Sequence, residues 1–378
     1  MRRLAAAGVS LCALVVCTPA HAIIYAPTDQ PGPALDVPAA QLAQSMRCTS
    51  NEVTAEREVV LFIPPTLVNP DEAWFGYERA FDALGIPYCT VTIPHFTTID
   101  IQISAEYTVD AIRSIHRLTG RKVQLLGWSQ GAGPEPRWAL RFWPDIRPMV
   151  DDLVGLEAPN HGAVAARAVC AGPSCVPALI QQEDGSEFIK ALNSRQETFP
   201  GISYTNVYSH TSQFVQPNLD NTGTTSLHGG GGQITNVATQ DICPLNTADH
   251  LAYYYDPVAY ALTIDALSNP GPANPARIDR GVCAQQSMPY VPFSDVPSYS
   301  VHLYNALFLD RLQNQPKASA EPPLKCYVTA TCPAASGQSR VGASTQTKSH
   351  RRLKQSHRVR HRRTRRHKAH RARRKDEI

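Results

Sequence analysis

The sequence lacks several features that would indicate other kinds of protein. None of its ten cysteines forms a C-x-x-C pair, which leaves a zinc or thioredoxin-type site with little support. No internal repeat is visible, so the chain is not a repeat protein. The apolar run near the start, residues 4–16, is too short to span a bilayer as an anchor.

That apolar run has the surroundings of an export signal. Arg2 and Arg3 precede it, and Ala20-His21-Ala22 after it has the small-x-small pattern of a cleavage site. We therefore expect residues 1–22 to be a signal peptide. Two cysteines would leave with it, and the remaining eight suggest four disulfides in an exported protein. Spacing alone leaves their pairing open, although 170–175 resembles a locally closed loop.

Acidic residues are absent from residues 348–375, which hold 15 Lys or Arg. Residues 23–347 carry 19 Lys or Arg against 30 Asp or Glu, so an acidic body precedes a cationic tail. The tail, 348–378, cannot bury a core and is expected to be disordered. No aromatics interleave its arginines, and export also disfavours nucleic acid. An anionic cell envelope or lipid surface is the favoured partner, and a solvated tail without a partner remains the alternative.

The body alternates strand and helix patterns. We divide it into an extended lead-in (23–44), a catalytic domain (45–315) and a Pro/Ala/Ser-rich extension with a small disulfide loop (316–347). Strands are predicted at 58–63, 88–93, 122–128, 150–156, 204–209 and 233–239, and helices at 70–84, 105–119, 186–192 and 254–267. This alternation predicts an α/β fold, a mostly parallel sheet with helices on both faces. Such sheets bind ligands at the carboxyl ends of their strands.

The stretch Gly127-Trp-Ser-Gln-Gly131 follows one of these strands and precedes a helix-compatible segment. Glycines on either side of Ser129 allow a sharp turn that lifts the hydroxyl above the sheet, as in the nucleophile elbow of α/β-hydrolases. We therefore predict that Ser129 is a nucleophile. A structural serine in a Gly-rich turn is the alternative.

A serine nucleophile needs a base and a group that orients the base. The histidines that follow Ser129 and precede the tail are His161, His210, His228, His250 and His302. His250 is the best placed, because every candidate acid precedes it in the chain order Ser, acid, His. The adjacent Asp249 is a poor orienter, since neighbours along a loop seldom face each other. The amide of Gln130 and the amide and hydroxyl of Thr66 are candidate oxyanion donors.

The chain also resembles the Candida antarctica lipase B family of serine hydrolases, particularly its bacterial relatives. The matching stretches are Ile63-Pro-Pro-Thr66, Trp128-Ser-Gln-Gly131, Arg137-Trp-Ala-Leu-Arg-Phe-Trp-Pro144, Ala158-Pro159, Tyr208-Ser209, Val215-Gln-Pro217, Asp249-His250 and Met288-Pro-Tyr290. The similarity runs from about residue 45 to about residue 290, with weaker support to Cys332.

The resemblance implies an α/β-hydrolase fold, Ser129 as nucleophile, His250 as general base and then acid, and Thr66 and Gln130 in the oxyanion hole. It also implies four disulfides, with the last pair assigned by elimination: Cys48–Cys89, Cys243–Cys283, Cys326–Cys332 and Cys170–Cys175.

Two departures from the family pattern concern the site. The family's catalytic Asp lies in a T-D-E stretch that here is Thr211-Ser212-Gln213, so Ser212 stands at the acid's position. Asp220, on the same loop, is the first candidate to replace it, and Glu157, at a strand end, is the second. The stretch 131–136 is one residue longer than the family pattern, which we expect to change the wall of the acyl pocket.

These patterns predict a secreted, monomeric carboxylic ester hydrolase, a lipase or esterase. Its substrate would be a lipid or other ester, its reaction would need no metal or organic cofactor, and its tail could retain it at the cell surface. The alternative is a catalytically impaired or non-catalytic surface protein of the same fold, and Ser212 is its main support.

Overall fold

A seven-stranded sheet organises the fold in this computed structural model, which describes residues 23–49 and 57–332. The strands are β1 (Met46–Cys48), β2 (Val59–Ile63), β3 (Tyr88–Val91), β4 (Val123–Trp128), β5 (Val150–Leu156), β6 (Ser203–Tyr208) and β7 (Gln233–Ala238). Their order is β1-β3-β2-β4-β5-β6-β7, and all pairs are parallel except β1 with β3.

The helices lie on both faces of the sheet. They are α1 (Ala39–Ser45), α2 (Pro70–Ala73), α3 (Phe75–Leu84), α4 (Pro94–Thr97), α5 (Ile101–Thr119), α6 (Pro134–Phe142), α7 (Val164–Val169), α8 (Pro177–Gln181), α9 (Glu187–Leu192), α10 (Thr239–Ile242), α11 (Pro257–Ser268), α12 (Val296–Tyr304) and α13 (Leu312–Asn314). A π-helical stretch, Asn305–Arg311, joins the last two.

The central strands are apolar throughout because both of their faces are covered. Every residue of β2 is buried, as is every residue of β4. Val59 and Leu61 point into a core with α5 and α6, whereas Val60 and Phe62 point into one with α3 and α11. Continuous apolar runs of this kind are typical of parallel strands covered by helices. The predicted α/β-hydrolase architecture is therefore confirmed.

The structure corrects several predicted boundaries. The helix expected over 70–84 is two helices, because Asn69 starts α2 with a capping box and the chain turns at Trp74 before α3 begins. The helix expected over 105–119 begins earlier, at Ile101, where the Asp100 side chain accepts a hydrogen bond from the Gln102 amide (2.9 Å). The lead-in is not extended throughout, since α1 packs Leu42 into the core. Helix α12 and the π-helical stretch were not predicted.

Residues 316–332 pack onto the catalytic domain. Tyr327 accepts a hydrogen bond from the indole of Trp138 (3.0 Å), and Val328 is fully buried. The four disulfides of the structure are the pairs that the resemblance implied. The predicted signal peptide and cationic tail lie outside the described residues.

Candidate active site

Ser129 stands on a sharp turn directly after β4. Its φ is 57°, in the left-handed region that a residue with a side chain rarely adopts. The flanking glycines permit this turn, since a Cβ on Gly127 would lie 1.7 Å from the carbonyl oxygen of Gly131. A Cβ on Gly131 would lie 2.2 Å from the carbonyl oxygen of Ile63. The G-x-S-x-G spacing is therefore a steric requirement of an elbow that follows β4 and packs closely against the end of β2.

His250 is held beside the elbow by contacts from both sides. Its carbonyl oxygen accepts a hydrogen bond from the indole of Trp128 (3.0 Å), and its amide donates to Oε1 of Gln213 (2.8 Å). Its ring meets the edge of Phe214, with 5.6 Å between ring centroids. The side chain is only 9% exposed, so the imidazole faces the interior rather than solvent.

Ser129 and His250 line the same cavity, and so do Thr66, which is one of the two predicted oxyanion residues, and the adjacent Leu67. The other lining side chains are mostly apolar, and they include Pro159, Ala163, Ala165, Ala166, Val169, Leu179, Gln182, Phe214, Val215, Leu251, Leu307, Phe308 and Leu312. The cavity measures about 90 Å³. The cavity opens to the surface, and its mostly apolar lining suits an apolar acyl group.

Glu157 is the carboxylate that meets His250. Its Oε2 lies 2.9 Å from Nδ1 of the imidazole, and the side chain is fully buried. The same carboxylate accepts hydrogen bonds from the Ser209 amide (2.9 Å), the Tyr253 hydroxyl (3.3 Å) and the Ser212 hydroxyl. Buried carboxylates need such partners, and these three donors together with the imidazole fix the orientation of this one.

The structure does not bring Asp220, the first candidate for the acid, to His250. Asp220 is exposed, and its Oδ1 accepts hydrogen bonds from the amide and hydroxyl of Thr222 in its own loop. Short loops favour such local hydrogen bonds, which turn the carboxylate away from the interior. Ser212 does not contact the imidazole either, because its hydroxyl donates to Glu157 and accepts from the Val215 amide (3.1 Å).

One sequence signal did point to Glu157. It directly follows β5, which pairs with β4, and the carboxyl ends of parallel neighbours meet at the same edge of a sheet. Its φ of 54° repeats the unusual conformation of Ser129 at the adjoining strand end. The dihedral angle itself could not be obtained from the sequence.

Thr66 and Gln130 meet behind the nucleophile. The Thr66 hydroxyl donates to Oε1 of Gln130 (2.8 Å), and Nε2 of Gln182 donates to the same hydroxyl (3.0 Å). Gln182 belongs to the turn after α8, and no sequence pattern had singled it out. The amide of Gln130 directly follows Ser129, which is the usual position of an oxyanion donor in this type of elbow.

The longer stretch 131–136 does not change the acyl pocket as we had expected. None of its residues lines the cavity, because the chain turns into α6 behind the elbow. Glu135 from this stretch is instead fully buried, where it accepts hydrogen bonds from Thr108 (2.6 Å) and Gln130 (3.2 Å).

Within residues 23–49 and 57–332, no group of three or more His, Cys, Asp or Glu is placed to hold a metal ion. Over the same ranges, no helix has the length and apolarity needed to cross a bilayer.

Comparisons with known proteins agree with the α/β-hydrolase fold. No family model matches the chain. Lipase B of Pseudozyma antarctica is 28% identical over 318 residues, which span 83% of this chain and 92% of that protein. The crystal structure of Aspergillus fumigatus lipase B superposes with a TM-score of 0.72 and 28% identity, covering 79% of this chain and 74% of the other. The chain therefore resembles lipase B over most of its length and shares the α/β-hydrolase fold, and these relatives support the activity class of a carboxylic ester hydrolase.

Proposed function

We propose that this protein hydrolyses carboxylic esters through an acyl-enzyme on Ser129, with His250 as general base and then acid and with Glu157 as the residue that orients His250. The observation that carries this proposal is the 2.9 Å contact between Glu157 Oε2 and His250 Nδ1, made beside a cavity that Ser129 and His250 share. Each residue type has the chemistry that its role requires.

The reaction follows from this arrangement. Nε2 of His250 takes the proton of Ser129 as the hydroxyl oxygen attacks the ester carbonyl, and the carbonyl oxygen becomes an anion. The Gln130 amide and Thr66 stabilise that anion. The C–O bond to the alcohol then breaks, and His250 gives its proton to the leaving alcohol. Water, deprotonated by His250, attacks the acyl-enzyme and releases the acid and Ser129.

Glu157 supplies what Ser212 cannot. The hydroxyl of Ser212 carries no charge, whereas the carboxylate of Glu157 accepts the Nδ1 proton and stabilises the imidazolium that forms during each step. Ser212 donates to the same oxygen, Oε2, that faces the ring. The non-catalytic alternative rests mainly on Ser212, which stands where the family has its catalytic Asp. In the proposed mechanism Glu157 takes the role of that Asp.

The cavity and the relatives together indicate the substrate. Both relatives are named lipases, and the cavity beside Ser129 is apolar. We therefore propose carboxylic esters with an apolar acyl group, including acylglycerols, as substrates. Neither a metal nor an organic cofactor enters the proposed chemistry.

Ester hydrolysis by purified protein tests the proposal. Wild type should hydrolyse p-nitrophenyl butyrate and tributyrin, and Ser129→Ala and His250→Ala should lose at least about 10³-fold in kcat. Ser114→Ala, a serine of α5 outside the cavity, is the matched control and should keep wild-type activity. A wild type without esterase activity, or an active Ser129→Ala, overturns the proposal.

We also propose export and retention at the cell surface. Four disulfides and the likeness to lipase B agree with an exported protein. If so, the mature chain should begin after Ala22 and behave as a monomer in size-exclusion chromatography. Removing residues 348–378 should release the enzyme from the cell fraction, as should high salt. An unchanged cell-bound fraction contradicts retention through the tail.

A further inference from the structure

A chain of hydrogen bonds behind the nucleophile ends on a buried carboxylate that the proposed reaction does not use. Glu135, the second residue of α6, is fully buried. Its Oε1 accepts from the Thr108 hydroxyl (2.6 Å), and its Oε2 accepts from Nε2 of Gln130 (3.2 Å). Burial raises the pKa of Glu135 to about 7, although both hydrogen bonds act to lower that pKa. The carboxyl is therefore ionised in mildly alkaline solution.

The carboxylate dictates which way the amide of Gln130 faces. An ionised carboxylate only accepts hydrogen bonds, so Gln130 must present its NH₂ group to Glu135. The carbonyl oxygen of the amide, Oε1, is thereby turned toward Thr66, whose hydroxyl donates to it over 2.8 Å. If the amide rotated by half a turn, its nitrogen would face the Thr66 hydroxyl and its oxygen would face the carboxylate.

Gln182 fixes the other end of the chain. Its Nε2 donates to the carbonyl oxygen of Ala178 (2.9 Å), which identifies the NH₂ group, and also to Oγ1 of Thr66 (3.0 Å) and to Oε1 of Gln130 (3.3 Å), so Gln182 and Glu135 favour the same orientation of the Gln130 amide. Because Thr66 accepts from Gln182, its own proton is directed to Gln130. Donor and acceptor directions are thus set along the whole chain by two fixed acceptors, Glu135 and the Ala178 carbonyl.

We propose that Glu135 is a positioning residue of the oxyanion hole: through Gln130, it holds the Thr66 hydroxyl beside the reacting carbonyl. At rest the hydroxyl makes a neutral hydrogen bond to Gln130. When the oxyanion forms, the hydroxyl turns to donate to it, while Gln182 keeps the Thr66 oxygen in place. The new bond is charge-assisted and more than replaces the neutral bond to Gln130. A Thr66 side chain that Gln130 already holds in place needs no reordering when the charge develops, whereas an unheld side chain would lose part of that gain.

The experiment is a double-mutant cycle between Glu135 and Thr66, assayed at pH 8 on p-nitrophenyl butyrate. Active sites are titrated with a fluorophosphonate, so that kcat refers to folded, reactive enzyme. Glu135→Leu should lower kcat roughly tenfold with KM changed less than about twofold, which is the usual weight of one neutral hydrogen bond acting in the transition state. Thr66→Val should lower kcat by about 10²-fold, the cost of one oxyanion donor.

The coupling between Glu135 and Thr66 shows whether Glu135 positions the Thr66 hydroxyl or only stabilises the fold. In the Thr66→Val background, Glu135→Leu should lower kcat by less than about twofold, because no hydroxyl remains to be positioned. Glu135→Gln offers a carbonyl to Gln130 and an NH₂ group to Thr108, so it should restore kcat to within about threefold of wild type. If Glu135→Leu fails to fold, Gln130→Leu replaces it in the same cycle, with the same expectations.

Asp152 provides a matched control. It is also a buried carboxylate whose pKa burial raises to about 7, and it also accepts from a glutamine side chain, Gln124 Nε2 (3.1 Å). It lies near the start of β5, at the opposite end of the strand from Glu157. Asp152→Leu should lower the melting temperature while leaving kcat per active site unchanged.

The outcomes distinguish this inference from the proposed function on which it rests. The positioning role alone is overturned if Glu135→Leu lowers kcat equally with Thr66 and with Thr66→Val. It is also overturned if Glu135→Leu, as the single change, leaves kcat per active site unchanged. Failure of wild type to react with the fluorophosphonate or to hydrolyse the ester overturns the proposed function as well.

Discussion

Replacing Glu157 by Gln removes the negative charge beside His250 while keeping a side chain of the same length. Two unit charges about 4 Å apart interact by about 4 kcal/mol at an effective dielectric constant of about 20. That energy stabilises the imidazolium formed in the transition state, so its loss should lower kcat by about 10³-fold. KM should change little, because Glu157 does not line the cavity.

The charge should be movable to position 212. The Ser212 hydroxyl already donates to the Glu157 oxygen that faces the imidazole, so an Asp at 212 brings a carboxylate to the same place. Glu157→Gln with Ser212→Asp should therefore regain at least about tenfold of the lost kcat. Ser212→Asp alone should lower activity, because two adjacent carboxylates cannot both ionise easily.

Steady-state kinetics with p-nitrophenyl butyrate, corrected for titrated active sites, measure these effects. Glu106→Gln is the matched control and should keep wild-type kcat. Glu106 is also buried, but it accepts a hydrogen bond from the Val37 amide (2.8 Å) instead of contacting His250. If Glu157→Gln keeps kcat within about twofold of wild type, Glu157 does not orient His250 and the reasoning is refuted.

Three other predictions follow from the cavity, the disulfides and a half-buried carboxylate. Phe308→Ala should shift kcat/KM toward p-nitrophenyl esters with longer acyl chains. Phe308 stacks on Phe214, with 5.4 Å between ring centroids, and both rings line the cavity. An unchanged dependence of kcat/KM on acyl length would contradict this. Loss of Cys243–Cys283, which spans 40 residues, should destabilise the fold by about 4 kcal/mol and lower the melting temperature by about 10 °C, measured for the double alanine variant by calorimetry. Burial tends to raise the pKa of Glu197, but hydrogen bonds from His161 and two backbone amides outweigh burial and lower the pKa to about 2. The stability that Glu197 contributes is therefore complete above its ordinary pKa and is lost as pH falls toward about 2, so the melting-temperature deficit of Glu197→Gln should shrink between pH 5 and pH 2; a constant deficit would contradict it.

The parts of the site that depend on local chain geometry were predictable from the sequence. An apolar run followed by G-x-S-x-G requires a strand and a tight turn, and the glycine contacts show why no larger residue fits there. The central strands were predicted because burial on both faces demands continuous apolar residues. Helix boundaries were less certain, since the capping at Asn69 divides a stretch that has one continuous helical pattern.

The acid was harder to predict because it depends on contacts between distant segments. Asp220 and Glu157 are both carboxylates that follow strands and precede His250, and sequence order does not say which one turns inward. The loop after β6 ties Asp220 to Thr222, whereas Ser209 and Ser212 from that same region reach back to Glu157. Gln182 and Glu135 were missed for the same reason, since their roles arise only when α6 and α8 pack behind the elbow.

The central claim is that Ser129 is the nucleophile of an ester hydrolase, and its direct test is the site of covalent modification by a fluorophosphonate. Trypsin should release residues 123–137 as one peptide, in which Ser129 is the only hydroxyl-bearing residue. We predict a single adduct on that peptide in wild type and none in Ser129→Ala. Absence of an adduct on residues 123–137, or labelling elsewhere that persists in Ser129→Ala, would contradict the claim.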